Sequence, residues 1–177
     1  MPGIFRLRSR PWLPLGMAAI VCAAALVARA SDRGAWNFAL PTLAGDRFVR
    51  VSDVPGPVLV NFWGCDCPPC VEELPRLQAF ADSHRNWTVL LVCTDAPRQA
   101  RVFLDRHRIG LTALRGGVDV AGLMRAAGNS DGGLPFTIVL RGNRIFQTHE
   151  GGLAETDLSA IAVAMKMMNP GLIENRP

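Results

Sequence analysis

The 177-residue chain predicts a mixed α/β fold, in which a central sheet is flanked by helices and preceded by an N-terminal β-hairpin. Two apolar runs, 58–63 and 87–93, are each followed by a helical pattern, as in the strand-helix units of a parallel sheet. Two later runs flank the turn 141–143, which predicts an antiparallel hairpin. The predicted sheet therefore mixes parallel and antiparallel strands.

Local patterns place the individual elements in chain order. The first hairpin surrounds the turn residues 44–46, with strands at 36–40 and 48–51. The further predicted strands are 58–63, 87–93, 136–140 and 144–148. The predicted helices are 67–84, 97–108, 120–127 and a last helix whose buried face carries Leu158, Ile161, Ala162, Met165 and Met168. Since 49% of the residues are apolar, the chain can bury one substantial core.

The N-terminal segment has the pattern of an export signal. Arg6, Arg8 and Arg10 precede the uncharged stretch 11–28. Ala28-Arg29-Ala30 resembles the small-residue motif at which signal peptides are cleaved. The stretch is long enough to favour an uncleaved membrane anchor, with release after Ala30 as the alternative. Because the positive charges precede it, either outcome places the rest of the chain outside the cytoplasm. We therefore expect a periplasmic protein that faces outward from the inner membrane.

The domain organisation follows from this segment. We expect a signal peptide or anchor at 1–30, a linker at 31–35, one domain at 36–170 and a tail at 171–177. The net charge of +4 arises within the first thirty residues, since four of the 19 basic residues lie there and the other 15 balance 15 acidic residues. The exported part is neutral, which excludes a nucleic-acid partner.

Two cysteines, Cys67 and Cys70, lie one helical turn apart where a predicted buried strand meets a helix. The helix N-terminus stabilises the first sulfur as a thiolate, and Pro68 and Pro69 suit a first turn that needs no N–H donors. Cys67 is the predicted nucleophile and Cys70 the resolving thiol. A static disulfide is the alternative, because spacing alone does not show exchange.

Glu73 falls on the predicted buried face of this helix, inside the arc of Val71, Leu74, Leu77 and Phe80. A buried carboxyl has a raised pKa and can accept or donate a proton for the dithiol. A surface side chain that reaches solvent along its stem is the alternative.

Taken together, these motifs resemble the TlpA/ResA type of thioredoxin-like protein. The resemblance extends over residues 36–168. It rests on Phe38-Ala39-Leu40-Pro41, Gly45, Ser52-Asp53, the segment 56–63, Cys67-Pro68-Pro69-Cys70, Glu73 and Gly133-Leu134-Pro135-Phe136-Thr137. It implies a thioredoxin-like fold, and Glu73 matches the acidic residue that such proteins carry three positions after the second cysteine.

The resemblance also implies an activity. We expect a thiol-disulfide oxidoreductase that acts as a reductant on cysteine-containing periplasmic proteins, such as apocytochrome c or the cysteines of copper sites. A membrane thiol transporter would supply its electrons. Apart from the Cys67–Cys70 disulfide itself we expect no cofactor and no metal, and we expect a monomer.

The resemblance implies a substrate-binding surface as well. Leu134-Pro135 matches the cis-proline that packs against the CxxC motif in thioredoxin-like folds, and Trp63 and Asp66 complete the predicted surface. Asp66 departs from the family, because an aromatic residue usually precedes the first cysteine. Its charge opposes thiolate formation at Cys67.

Additional cysteines leave other functions open. Cys65 brings a third sulfur within six residues of Cys70, and the trio Cys65, Cys67 and Cys70 would suit a Cu(I) metallochaperone. Cys93 ends the neighbouring predicted strand, where it lies on the same sheet edge or serves as a small buried hydrophobic residue. A thiol peroxidase is disfavoured, because no cysteine has both Thr or Ser three residues before it and Pro seven before it.

Overall fold

The computed structural model describes residues 36–168. Its strands are β1 (Ala39–Pro41), β2 (Phe48–Arg50), β3 (Pro57–Trp63), β4 (Thr88–Cys93), β5 (Thr112–Arg115), β6 (Phe136–Arg141) and β7 (Arg144–Glu150). Its α-helices are α1 (Pro68–Ser83), α2 (Pro97–Arg106), α3 (Val120–Ala126) and α4 (Glu155–Met167), and a short 3₁₀ turn spans Val51–Asp53.

Strand β3 occupies the centre of a five-stranded sheet with the order β5-β4-β3-β6-β7. It pairs in parallel with β4, which pairs in parallel with β5, whereas β6 and β7 run antiparallel. Strands β1 and β2 form a separate antiparallel hairpin. The mixed α/β class and the N-terminal hairpin predicted from the sequence are confirmed.

The side chains of β3 alternate between two apolar layers. Leu59 and Trp63 face the layer formed with α1, α2 and α4. Val58, Val60 and Phe62 face the layer formed with α3, Trp36 and Val51. All five are fully buried. Since both faces are covered, the whole strand can be apolar, which explains its uninterrupted hydrophobic run.

One polar residue interrupts β3. Asn61 is fully buried and lies opposite Leu91 of β4 and Thr137 of β6 in the sheet register. By alternation its side chain shares the face of Leu59 and Trp63, on which α1 packs. The register therefore places a buried amide below α1.

Two features differ from the sequence-based expectation. Strand β5 was not predicted. It has only four residues, of which Leu114 alone is fully buried, and Gly116 and Gly117 follow it directly, so the sequence carries no long apolar run there. Helix α1 begins at Pro68, so Cys67 is its N-cap residue.

The predicted signal or anchor, including the stretch 11–28, and the predicted linker and tail lie outside the described residues. Within 36–168, no helix has the length and hydrophobicity needed to cross a bilayer.

Candidate active site

The Cys67–Cys70 pair lies at the junction of β3 and α1 and is joined as a disulfide. Cys67 caps the helix in an extended conformation, and its Sγ accepts the backbone N–H of Cys70 at 3.3 Å. Pro68 and Pro69 fill the first turn, where a missing N–H costs nothing. Cys67 is partly exposed and Cys70 is fully buried. The two sulfurs therefore differ in accessibility in the sense that the sequence predicts.

Glu73 lies one turn after Cys70 on the buried side of α1, and its exposed fraction is 0%. Asn61 donates from Nδ2 to Glu73 Oε1 at 2.7 Å, and the backbone N–H of Leu153 donates to Glu73 Oε2 at 2.7 Å. The same Asn61 amide donates to Thr137 Oγ1 at 3.0 Å. The structure thus places Glu73 on the buried face and gives both carboxyl oxygens a donor.

Burial raises the pKa of the Glu73 carboxyl, because the protein interior disfavours its charged form. The hydrogen bonds from Leu153 and Asn61, and the electrostatic effects of Arg76 and His149, act in the opposite direction but do not cancel this effect. Arg76 also donates from Nε to the Leu153 carbonyl at 3.0 Å, which holds the segment that caps Glu73. The result is a buried carboxyl whose pKa lies above the ordinary value for glutamate.

The Leu134–Pro135 peptide bond is cis. Leu134 is partly exposed and packs against both apolar layers, and its Cδ1 atom would lie 3.7 Å from a Cβ added at Gly64. Gly64 belongs to the loop that leads to Cys67. The structure therefore brings Leu134 to the loop that carries the disulfide, as the sequence motif predicts.

Trp63 and Asp66 occupy different positions relative to the surface. Trp63 is fully buried, and its ring lies 5.5 Å from that of Phe103, centroid to centroid. This burial argues against direct contact between Trp63 and a partner, and it makes the side chain a support beneath the loop. Asp66 is exposed next to Cys67.

A second group of ligating atoms lies beside the disulfide. Cys65, Cys93 and Asp95 place their sulfur and carboxylate atoms within 4.8 Å of one another. Asp95 Oδ2 accepts the backbone N–H of Cys65, and the Asp95 N–H points to Cys93 Sγ at 3.4 Å. Asp95 is not among the site residues that the sequence predicts. The signal that could have revealed it is its position two residues after β4, at the same sheet edge as Cys65.

The Cu(I) site suggested by the sequence is not favoured. Two of its three sulfurs, those of Cys67 and Cys70, are bonded to each other. In the described part of the chain, the group of side chains with metal-binding spacing contains Cys65 but neither Cys67 nor Cys70. Among residues 36–168 the free cysteines are Cys65 and Cys93, and they thus form a unit of their own.

A disulfide that caps a helix at the end of a central strand, next to a cis-proline, defines the class of thioredoxin-like proteins with a CxxC motif. The chain belongs to the AhpC/TSA family, whose model matches residues 32–146. It is 27% identical over 165 residues to the thiol-disulfide oxidoreductase ResA of Halalkalibacterium halodurans. This match covers 84% of this chain and 90% of ResA.

Solved structures share the fold. The crystal structure of StoA from Bacillus subtilis gives a TM-score of 0.59 at 20% identity, covering 71% of this chain and 96% of that one. A secreted thiol-disulfide isomerase from Corynebacterium glutamicum gives 0.65 at 20% identity, covering 74% and 84%. The predicted TlpA/ResA type and thioredoxin-like fold are confirmed, and the protein is a thiol-disulfide oxidoreductase.

The buried carboxyl predicts a pH-dependent effect of Glu73→Gln on stability. The NH₂ group of the new amide must face one of two hydrogen-bond donors, the Asn61 side chain or the Leu153 N–H. We therefore expect the variant to lose about 1–3 kcal/mol in free energy of unfolding. A raised folded-state pKa means that the wild type loses stability as pH rises above about 4, because the unfolded chain ionises first. The variant has no such loss. The difference in free energy of unfolding between wild type and Glu73→Gln should therefore narrow toward neutral pH.

Urea unfolding of both proteins between acidic and neutral pH measures this gap. Glu72→Gln is the matched control, since Glu72 is the exposed neighbour on the same helix, and we expect it to change stability by less than about 0.5 kcal/mol. A gap that stays constant or widens as pH rises would contradict the raised pKa of Glu73.

Proposed function

We propose that the protein is a periplasmic disulfide reductase whose nucleophile is Cys67. The observation that carries this proposal is the asymmetry of the disulfide. Cys67 is the partly exposed sulfur at the helix N-terminus and accepts the N–H of Cys70, whereas Cys70 lies fully inside. An incoming protein thiol or disulfide meets Cys67 first, and the helix end stabilises the thiolate that forms there.

In the reducing direction the reaction has two exchange steps. The Cys67 thiolate attacks one sulfur of the partner disulfide, which forms a mixed disulfide and releases the partner's other sulfur as a thiolate. Cys70 then loses its proton and attacks Cys67, which closes the Cys67–Cys70 disulfide and releases the second partner thiol. Two electrons pass to the partner, and a separate thiol reductant must restore the dithiol.

Glu73 suits the proton transfer in the second step. Cys70 is fully buried, so its proton needs an internal acceptor. Glu73 is buried one turn further along α1, and its pKa is raised by burial, which brings a carboxyl nearer to the range useful for acid-base work. We assign it the role of accepting the Cys70 proton and returning it when the disulfide is reduced.

The partner is proposed to dock across the loop that carries Asp66 and Cys67 and the adjacent Leu134–Pro135 segment. Leu134 is partly exposed beside the loop, and its backbone can pair with an extended partner segment. Trp63 supports this surface from below. Asp66 adds a negative charge where the partner meets the nucleophile, which favours partners that carry a basic residue near their cysteines.

The reducing direction is supported by the charges around Cys67. Strong oxidants of this class owe their potential to a stabilised thiolate in the reduced form. Here the Cys67 sulfur receives one backbone N–H, while the adjacent Asp66 carboxylate opposes its negative charge. The reduced form is therefore held less favourably than in an oxidant, and it gives up electrons more readily.

The proposed location rests on the N-terminal sequence, and the proposed partners rest on the family resemblance. The arginines and the apolar stretch at 11–28 are proposed to anchor the chain in the inner membrane, with the enzyme domain in the periplasm. Two structural neighbours are described as secreted. The proposed substrates are cysteine-containing periplasmic proteins, of the kind processed in cytochrome c maturation or copper-site assembly, and the electron donor is a membrane thiol transporter. The proposed active form is a monomer without a metal or other cofactor.

The assignment of the two cysteines predicts opposite outcomes for two substitutions. Cys67→Ala should abolish reduction of insulin disulfides, because the attacking sulfur is gone. Cys70→Ser should accumulate covalent complexes with partners in the cell envelope, because the mixed disulfide is no longer resolved. Turbidity during insulin reduction and non-reducing electrophoresis measure the two effects.

Cys22→Ala is the matched control for these variants, since it removes a cysteine outside the described domain, and we expect full activity. Insulin reduction retained by Cys67→Ala would refute the nucleophile. Trapped complexes that form with Cys67→Ala in place of Cys70→Ser would reverse the two roles.

The charge of Asp66 predicts a faster reaction at Cys67 in Asp66→Asn. Removing a neighbouring carboxylate stabilises the thiolate by about 0.3–1 kcal/mol at an exposed site, so alkylation of reduced Cys67 by iodoacetamide at neutral pH should speed up about two- to fivefold. Asp82→Asn, the same change at the exposed far end of α1, should leave the rate unchanged. Equal rates in wild type and Asp66→Asn would remove Asp66 from the control of the thiolate.

A further inference from the structure

Two free thiols, Cys65 and Cys93, face each other beside the active-site disulfide. Their Sγ atoms lie within 4.8 Å of each other. Cys93 ends β4 and is paired in register with Trp63, the last residue of β3, and Cys65 follows two residues later. A disulfide bond is about 2.05 Å long, so the two Sγ atoms must move closer together before they can join. Rotation of the Cys65 and Cys93 side chains about χ1 is the movement that this step requires.

We propose that Cys65 and Cys93 form a second redox pair, which reduces the Cys67–Cys70 disulfide and thereby stores two further electrons. This inference rests on the activity of the Cys67–Cys70 pair as an exchange site and assigns that site an internal electron donor. Cys65 is the entry point, because it is partly exposed and only Asp66 separates it from Cys67 in the chain. Cys93 is buried and acts as its resolving partner.

The chemical environment of the pair supports the direction of transfer. Burial, helped by the hydrogen bond and charge of Asp95, raises the pKa of the Cys65 thiol to about 12, and burial raises that of Cys93 to about 11. Their thiolates are thus strongly disfavoured. A Cys67 thiolate is opposed by the exposed Asp66 carboxylate but has the helix end and the Cys70 N–H to stabilise it. A dithiol without thiolate stabilisation favours its disulfide form. The arrangement in the structure, an intact Cys67–Cys70 disulfide beside two free thiols, is therefore the state before the transfer, and at equilibrium the electrons reside on Cys67 and Cys70.

The transfer balances without any external reagent. Cys65 loses its proton, for which the Asp95 carboxylate is the nearby acceptor, and attacks Cys67. A Cys65–Cys67 disulfide forms and Cys70 leaves as a thiolate. Cys93 then attacks Cys65, which forms the Cys65–Cys93 disulfide and releases Cys67. Overall two thiols are oxidised to one disulfide, one disulfide is reduced to two thiols, and the two protons pass from the first pair to the second.

The test is a redox titration of the full chain in a Cys22→Ser background, which removes the remaining thiol. The protein is equilibrated in glutathione buffers of stepwise ratio, its free thiols are alkylated, and its disulfides are mapped by mass spectrometry. We expect the Cys65–Cys93 disulfide to form at a ratio of reduced to oxidised glutathione at least tenfold more reducing than the one that forms Cys67–Cys70. Because each pair is read separately, a Cys67–Cys70 pair that does not titrate would refute the proposed function and this inference with it, whereas a titrating Cys67–Cys70 pair beside a Cys65–Cys93 pair that never forms a disulfide would refute this inference alone.

A matched variant counts the stored electrons. Fully reduced wild type, freed of reductant, should reduce two insulin disulfides per chain in a single turnover, and Cys93→Ser should reduce one. The inference is overturned if Cys65 and Cys93 stay open to alkylation after Cys67–Cys70 has oxidised, or if both proteins give the same yield. It is also overturned if Cys67→Ser/Cys70→Ser binds Zn²⁺ in a 1:1 ratio but forms no Cys65–Cys93 disulfide, since the trio with Asp95 is then a metal site.

Discussion

The buried Glu73 carboxyl, held between Asn61 and the backbone of Leu153, is the interaction on which the arrangement of the active site depends. It joins the central strand β3, helix α1 and the segment before α4 at one point. Such a group is costly to bury without partners, and each of its oxygens has one. The same contacts that make the burial tolerable also fix the start of α1, and with it the disulfide.

The parallel pairing of β3 with β4 explains why so much chemistry lies at one edge of the sheet. Parallel strands end at the same side, so the loops after Trp63 and Cys93 run next to each other. One loop carries the disulfide and Cys65, and the other carries Asp95. The two cysteine pairs are neighbours with opposite surroundings, since Cys67 caps a helix while Cys65 and Cys93 lie near a carboxylate. The fold can therefore tune them to different potentials.

Much of this site was predictable because its signals are local. The period of α1 places Glu73 on the face of Leu74 and Leu77, and the Cys67–Cys70 spacing needs only a helix start to act as a redox pair. The partners of Glu73 were not predictable, because Leu153 lies 80 residues further along the chain and contributes a backbone N–H that any residue could supply. The contact of Asp95 with Cys65 was not predictable for a similar reason, since only the strand register brings the two residues together.

Direct titration of the Glu73 side-chain carboxyl by ¹³C NMR is the measurement that tests this account most directly. The account predicts a pKa above the ordinary value of about 4.3, because burial outweighs the two hydrogen bonds and the electrostatic effects of Arg76 and His149. It also predicts that the value changes when Cys67–Cys70 is reduced, because Glu73 is proposed to accept the Cys70 proton. An ordinary or lowered pKa that is the same in both redox states would contradict the account.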